Sequence, residues 1–157
     1  EYYKQGSNKH LQTIKVMDEL LNSWYNLLNQ NITYNSAIIP VYKEDTDAAA
    51  VSHYILLRAE GETDQSANNQ FHFASVVVVD VVTVHKNNVK RSIVDDISTQ
   101  VFNLVFPVKN ANALPAQQNI QILNVKQDTS TYLYEDDGVT DKVYRKVIRY
   151  SHTIIKR

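Results

Sequence analysis

The chain has 157 residues, a formal net charge of −1 at pH 7, 43% hydrophobic residues and 21% charged residues, values that suit one globular domain and exclude global disorder. The near-neutral charge also excludes a strong general attraction to nucleic acid or to membrane surfaces. The absence of cysteine excludes disulfides and thiolate metal sites, and three glycines are too few for a glycine-rich phosphate loop.

A long amphipathic helix is predicted near the start of the chain. Residues 1–9 are interpreted as an N-terminal arm and residues 10–157 as a single domain, with Ser7 or Asn8 as the helix cap and residues 29–31 as the helix end. Apolar residues then recur at steps of three and four, which is the spacing of one helical face. Their bulk predicts that the helix packs across a sheet. This face consists of Leu11, Ile14, Met17, Leu20, Leu21, Trp24, Leu27 and Leu28.

Two strands are predicted after this helix. Residues 38–42 form a short strand, and Pro40 assigns it to a sheet edge because proline cannot donate a hydrogen bond to a strand ladder. Residues 51–59 form the second strand. The polar segment 60–70 that follows is predicted to be a long, mobile hairpin loop.

The segment 71–85 predicts a long third strand, because nearly every position from Val76 to Val84 is valine. Alternate residues of a strand point to opposite faces. The helices offer cover for one face only, and both faces are apolar, so we expect another subunit to cover the second face. The two faces carry Phe71, Phe73, Val77, Val79 and Val81 on one side, and Ala74, Val76, Val78, Val82 and Val84 on the other.

Asp80 interrupts this strand, and a carboxylate among apolar neighbours needs a partner. Asp80 can act as a catalytic acid. It can also pair with an arginine or lysine across a subunit boundary, or lie where its face is exposed. The structural interpretations are favoured, because no second acid and no nucleophile lie near it in the sequence.

The second half of the chain predicts a helix and a β-hairpin. Asn87 or Asn88 can cap the helix and Pro107 ends it. Strands are predicted at 120–127, 129–135 and 142–155, and Asp136-Asp137-Gly138 is a turn signal between the last two. The order of elements indicates an α+β fold: an antiparallel β-sheet with two main helices packed on one face and long β-hairpin extensions. The apolar stripe of the second helix consists of Val89, Ile93, Ile97, Val101, Leu104 and Val105.

The sequence predicts no catalytic residue, no metal ligand and no cofactor. The five histidines are scattered and none forms a pair at helical ligand spacing. A site built from His53 and His72 across a hairpin is weaker than the interpretation of both as ordinary strand histidines. The acidic pair Asp95/Asp96 lies on the second helix, and Asp136/Asp137 is explained by turn chemistry. Enzyme activity therefore has no support from the residues.

The last strand is strongly basic, and its positive charges have two interpretations. They form a strip that contacts phosphates or bridges subunits, or they form a solvated face with edge lysines that block aggregation. Intersubunit salt bridges to the acidic loops 43–47 and 60–64 are the favoured interpretation. The basic residues are Lys142, Arg145, Lys146, Arg149, Lys156 and Arg157.

The order of elements over about residues 10–155 resembles the tail-terminator, or tail-completion, family of tailed bacteriophages, within the head–tail connector proteins. The resemblance rests on the leading helix, the Ile39-Pro40-Val41 strand, the loop and valine strand, the helix at 92–97 and the final hairpin. It implies a structural virion protein of the neck or tail, made in the host cytoplasm, that forms a ring of six copies, with twelve as the alternative. Its partners are then other connector or tail proteins, and DNA passes through the channel without sequence-specific binding. No membrane contact is predicted, because no apolar run approaches the ~20 residues needed to span a bilayer.

The resemblance also directs attention to a set of candidate subunit-interface residues on the valine strand, the last strand and the acidic loops. Two rival functions remain open. One is a small-molecule-binding or enzymatic α+β domain, dimeric through its valine-rich sheet, with a pocket near His53, Tyr54 and Asp80. The other is a nucleic-acid-binding module that uses the last strand. The interface candidates are Val76, Val78, Asp80, Val82, Arg145, Arg149, Glu60, Glu62, Asp64, Asp136 and Asp137.

Overall fold

The computed structural model describes residues 4–45, 52–65, 72–136, 138 and 141–157, with the backbone alone for residues 4–15. A five-stranded sheet carries two helices on one face, and a two-stranded ribbon lies beside it, so the predicted α+β class is confirmed. The sheet has the strand order β3-β4-β5-β7-β6. The elements are α1 (Lys4–Leu28), β1 (Thr33–Tyr34), β2 (Ala37–Ile38), β3 (Val41–Lys43), β4 (Tyr54–Asp64), β5 (His72–His85), α2 (Arg91–Val105), β6 (Ile120–Asp136) and β7 (Lys142–Lys156).

The first helix begins earlier than predicted. Because α1 starts at Lys4, the segment interpreted as an arm is largely helical, and the predicted caps Ser7 and Asn8 lie inside the helix. A cap is worth only about 1 kcal/mol, so a helix can extend past a capping residue. The predicted end is confirmed: Gln30 adopts a positive φ of 64°, which stops the helix after Leu28. Residues 1–3 lie outside the described residues.

One edge of the sheet differs from the antiparallel prediction, because β3 pairs with β4 in parallel. The strand predicted at 38–42 is split by Pro40. Ile38 pairs with Thr33 in the small ribbon, and the chain after Pro40 joins the main sheet. The Pro40 carbonyl accepts a hydrogen bond from the Ile55 amide at 2.9 Å. Proline thus lies between two strands, where its missing N–H costs no ladder bond.

The strand β4 extends five residues beyond its predicted end at Ala59, to Asp64. Residues 60–64 belong to β4 and residues 62–64 pair with β5, so the predicted loop is wrong over this range, and residues 66–70 lie outside the described residues. A β-bulge between Ala59 and Glu62 shifts the register of the ladder, and Gly61 within it has a φ of 81°. Glycine meets this positive φ without strain, which allows a polar segment to continue the strand.

The second helix and the final hairpin show smaller differences. The residue before α2 is Lys90, which makes no side-chain cap bond, so the predicted Asn87 or Asn88 cap is wrong. The strands predicted at 120–127 and 129–135 are one continuous strand, β6, interrupted by two register shifts. The predicted turn is confirmed at Gly138, whose amide donates a hydrogen bond to the Asp136 carboxylate at 2.8 Å.

Candidate functional site

Both faces of β5 are covered within one chain, by different means. On the inner face Val77, Val79 and Val81 are fully buried in the core that packs against α1 and α2. On the outer face Val78 and Val82 are each only 3% exposed, yet they lie outside that core. Contrary to the prediction, Val78 and Val82 therefore need no second subunit for their burial, whereas Val76 and Val84 on the same face are half-buried.

Long side chains of the neighbouring strands provide the outer cover. Arg58 of β4 lies opposite Val78, and Arg145 of β7 lies opposite Val82. Tyr54 of β4 is also opposite Val82, on its other side. An arginine can lay its aliphatic stem along an apolar surface while its charged head meets another group. The sheet therefore closes its own outer face with arginine stems and a tyrosine ring in place of a helix.

Asp80 lies at the centre of this outer face and is fully buried. Arg145 contacts Asp80 through two nitrogens, Nη2 to Oδ2 and Nε to Oδ1, the second at 3.3 Å. Arg58 donates from Nη2 to the Asp80 Oδ2 at 3.1 Å. Arg145 also donates from Nη1 to the Glu135 Oε1 at 3.0 Å. One buried carboxylate thus joins strands β4, β5 and β7, and Glu135 extends the network to β6.

This network is structural in character. The hydrogen bonds between Arg145 and Asp80 are the main reason that the pKa of Arg145 is raised above its ordinary value, so its guanidinium stays charged. A carboxylate that is 0% exposed and held by two guanidiniums has no open side for a substrate. The catalytic interpretation of Asp80 is therefore not supported, and the charge partner predicted across a subunit boundary lies within the chain.

A second ion pair flanks the first on the same face. Arg149 binds Glu60 in a bidentate manner, with Nε to Oε2 at 2.7 Å and Nη2 to Oε1 at 3.1 Å. The hydrogen bond from Arg149 lowers the pKa of Glu60. Lys146 lies on the inner face, where its Nζ contacts the Asp95 Oδ1 at 3.2 Å. Arg145, Lys146 and Arg149 are thus divided between two faces and paired with acids of the same chain, and the role of the basic strand at a subunit interface stays a prediction.

The remaining interface candidates lie apart from this network. Glu62 is half-buried, its Oε2 has no hydrogen-bond partner, and burial raises the pKa of its carboxyl. Asp64 is exposed at the end of β4, and Asp136 accepts hydrogen bonds from the Tyr134 hydroxyl and the Gly138 amide. Val76 is half-buried on β5, and Asp137 lies outside the described residues.

The pocket predicted near His53, Tyr54 and Asp80 is not formed, because these residues lie on opposite faces of the sheet. Tyr54 and Asp80 belong to the outer face, whereas the His53 ring packs against His85 at 5.7 Å, on the inner side. The His53 Nδ1 accepts a hydrogen bond from the Val84 amide at 3.1 Å. Burial is the first cause of the lowered pKa of both histidines. Within the described ranges, no three histidine, aspartate or glutamate side chains form a metal-binding group.

A buried histidine connects the helical layer to the sheet. The Trp24 Nε1 of α1 donates to the His152 Nε2 of β7 at 2.8 Å, and the other ring nitrogen of His152 is 3.2 Å from the Ser75 carbonyl oxygen. Because tryptophan can only donate, Nε2 of His152 must be unprotonated and Nδ1 must carry the hydrogen. Burial lowers the pKa of His152 to about 4. The histidine thus acts as a neutral structural connector.

The exposed apolar surface is concentrated along one edge of the sheet, a feature that the sequence analysis missed. Among the described residues, five of the six exposed large apolar side chains lie on β6 or beside it, and the sixth is Ile38 at 56% exposure. The strand β6 pairs only with β7, so its other side is an open edge. We call this surface the β6 edge. Its exposed members are Phe102, Val108, Leu123, Leu133 and Tyr134.

A groove of about 820 Å³ lies within the β6 edge. The end of α2 forms one wall, with the rings of Phe102 and Phe106 4.9 Å apart. The segment 108–112 and residues 123–127 of β6 form the rest. Its lining includes two lysines and no acidic residue. We call it the edge groove.

A β-bulge explains why the exposure of this surface could not be predicted from the sequence. The ladder between β6 and β7 shifts register between Ile122 and Asn124, and Leu123 is the extra residue. A bulge turns a side chain away from the face that simple alternation assigns to it. Phe102 similarly lies one position from Val101, which faces the core.

Neither α1 nor α2, over the residues described, combines the length and apolar character that crossing a bilayer requires. The sequence matches no protein-family model. It also matches no curated protein.

Proposed function

We propose that the chain is a structural subunit of a phage neck or tail, which assembles into a closed ring around the DNA channel and acts in head-to-tail connection or tail completion. The observation that carries this proposal is the β6 edge, where five large apolar side chains are exposed along the open edge of β6 in the part of the chain that the structure describes. Monomeric proteins usually protect open strand edges, because such an edge can pair with another chain. Such a surface is typical of a protein that works by assembly.

The two ends of the sheet favour a ring over a symmetric dimer. The sheet ends in the short parallel strand β3 on one side and in the 17-residue strand β6 on the other. A contact between two different surfaces is heterologous, and repetition of such a contact closes into a ring when the rotation permits. The resemblance in element order to tail-terminator proteins supports the same architecture.

The outer face of the sheet suits a channel protein through which DNA slides. Its three arginines, Arg58, Arg145 and Arg149, are each paired with an acid of the same chain. Strong DNA binding depends on cations that neutralise phosphates, and paired arginines are poor candidates for that task. The same pairing weighs against the nucleic-acid-binding alternative.

A small-molecule-binding domain is the second candidate, because the volume of the edge groove lies within the usual range of ligand pockets. Its lining mixes aromatic rings with asparagine and lysine side chains. This candidate predicts a protein that stays monomeric or dimeric and whose melting temperature rises on addition of its ligand.

The test of the proposed function is antibody labelling of virions from a tailed phage that encodes this chain. We expect gold-labelled antibodies to bind at one end of the tail or at the head–tail junction, with no label along the tail tube. A matched antibody against a major tail-tube protein serves as the control for access. Absence of the chain from purified virions, or label along the whole tube, would contradict the proposal.

A further inference from the structure

We propose that the ring contact joins opposite edges of the sheet: the corner around Ile38 of one copy sits in the edge groove of the next copy. This inference rests on the proposed ring and names the two surfaces that close it. The occupant of the groove is thus a second copy of this chain.

The first argument is apolar complementarity. Phe102, Val108 and Leu123 line the edge groove and are 43%, 65% and 43% exposed. Ile38 is 56% exposed, and among the described residues it is the one large apolar side chain exposed away from the β6 edge. Ile38 and the apolar side chains of the groove each remain exposed to water in the single chain. Contact between them removes both from water at once.

The second argument is location. Ile38 ends β2, and only residues 39–40 separate it from β3, the strand at one end of the sheet. The edge groove lies beside β6, at the other end. The two ends of the sheet are four strand spacings of 4.8 Å, or about 19 Å, apart. The ribbon that holds Ile38 also contacts α2, because the Gln100 side chain is hydrogen-bonded to the Thr33 backbone. Ile38 and the groove nevertheless both remain open to water in the single chain. The contact therefore joins two copies through different surfaces, as a ring requires.

The third argument is charge. Lys109 and Lys126 line the groove, which has no acidic residue in its lining. Beside β3, Glu44 and Asp18 border a small cleft with Lys43, and Asp45 follows directly. The Lys43 Nζ donates to the Asn22 side chain, on its own chain. The surfaces thus carry opposite net charge, which favours this pairing over a contact of like edges.

Engineered cysteines test the contact directly, because the natural chain has none. The test variant carries Ile38→Cys and Leu123→Cys together. Under mild oxidation it is expected to form a ladder of disulfide-linked oligomers on denaturing gels, since each copy is linked to two neighbours. Each single variant can form dimers at most. The control variant pairs Ile38→Cys with Leu133→Cys, a residue of the same strand with 42% exposure, about 33 Å further along it.

Particle images of the same double variant separate this inference from the proposed function. A ladder from the test pair, but not from the control pair, supports the contact. Rings without a ladder overturn the contact and leave the ring proposal in place. A ladder without closed rings supports the contact and counts against the ring. Monomers with neither ladder nor rings overturn both.

Discussion

Replacing Arg145 with methionine is expected to lower the free energy of unfolding by about 3 kcal/mol, because it leaves the buried carboxylate of Asp80 with Arg58 as its remaining charge partner. Methionine keeps most of the aliphatic stem that covers Val82, so the loss reflects charge and hydrogen bonding. Asp80 is fully buried, whereas the Arg58 side chain is 42% exposed and more loosely held. Urea unfolding followed by circular dichroism measures the difference.

The same substitution at Arg149 is the matched control. Arg149 lies on the same face of the same strand, and its partner Glu60 is 49% exposed. Exposed ion pairs contribute about 0–1 kcal/mol, so Arg149→Met is expected to cost less than about 1 kcal/mol. Equal losses from the two variants would show that Asp80 does not organise the outer face.

Acid is expected to destabilise the protein between about pH 6.5 and pH 4, chiefly through His152. The pKa of His152 falls from its ordinary 6.5 to about 4 in the folded chain. Above pH 6.5 both states are neutral, and the stabilisation is fully present. As the pH falls, the unfolded chain binds a proton that the folded chain excludes, so stability decreases until about pH 4. At about 1.4 kcal/mol per pH unit, the total loss from this residue is about 3 kcal/mol.

The first physical cause is burial of the His152 ring, which disfavours its charged form. Protonation of the His152 Nε2 would place a second N–H against the Trp24 donor, inside a core where both residues are at most 3% exposed. His152→Gln is the matched variant, since its amide can accept from Trp24 and donate to the Ser75 carbonyl without titrating. We expect a shallower loss of unfolding free energy from pH 6.5 to 4 in this variant. An unchanged slope would assign the acid sensitivity to other groups.

Several parts of the fold could be predicted because they depend on local periodicity. The alternation in the last strand correctly divided Arg145 and Arg149 from Tyr150 and His152, since a strand has a strict two-residue period. The valine strand was correctly located because its composition leaves no alternative to a strand. Both results follow from the chain itself, without any information from distant residues.

The cover of the outer face could not be predicted in the same way. Periodicity showed that Val78 and Val82 need cover, but whether a helix, a subunit or a neighbouring side chain supplies it depends on strand order. Only the pairing of β5 with both β4 and β7 brings Arg58 and Arg145 to Asp80. From sequence alone an arginine is expected to face solvent, although its aliphatic stem can cover an apolar neighbour.

The candidate assembly surface was hidden for a further reason. Leu123 is exposed because a bulge shifts the ladder, and Phe102 and Val108 join it because the segment after α2 folds back near β6. Neither event has a local signature in the sequence. The surface that supports assembly is thus the edge of the sheet and not the centre of the valine strand, which the chain buries by itself.

The most direct measurement of the central claim is electron microscopy of the purified chain over a wide range of concentration, with light scattering of the same samples for mass. We expect closed rings with a central hole, and a mass that is a whole multiple of the 18.0 kDa chain. A uniform population of 18.0 kDa monomers at every concentration would contradict the claim.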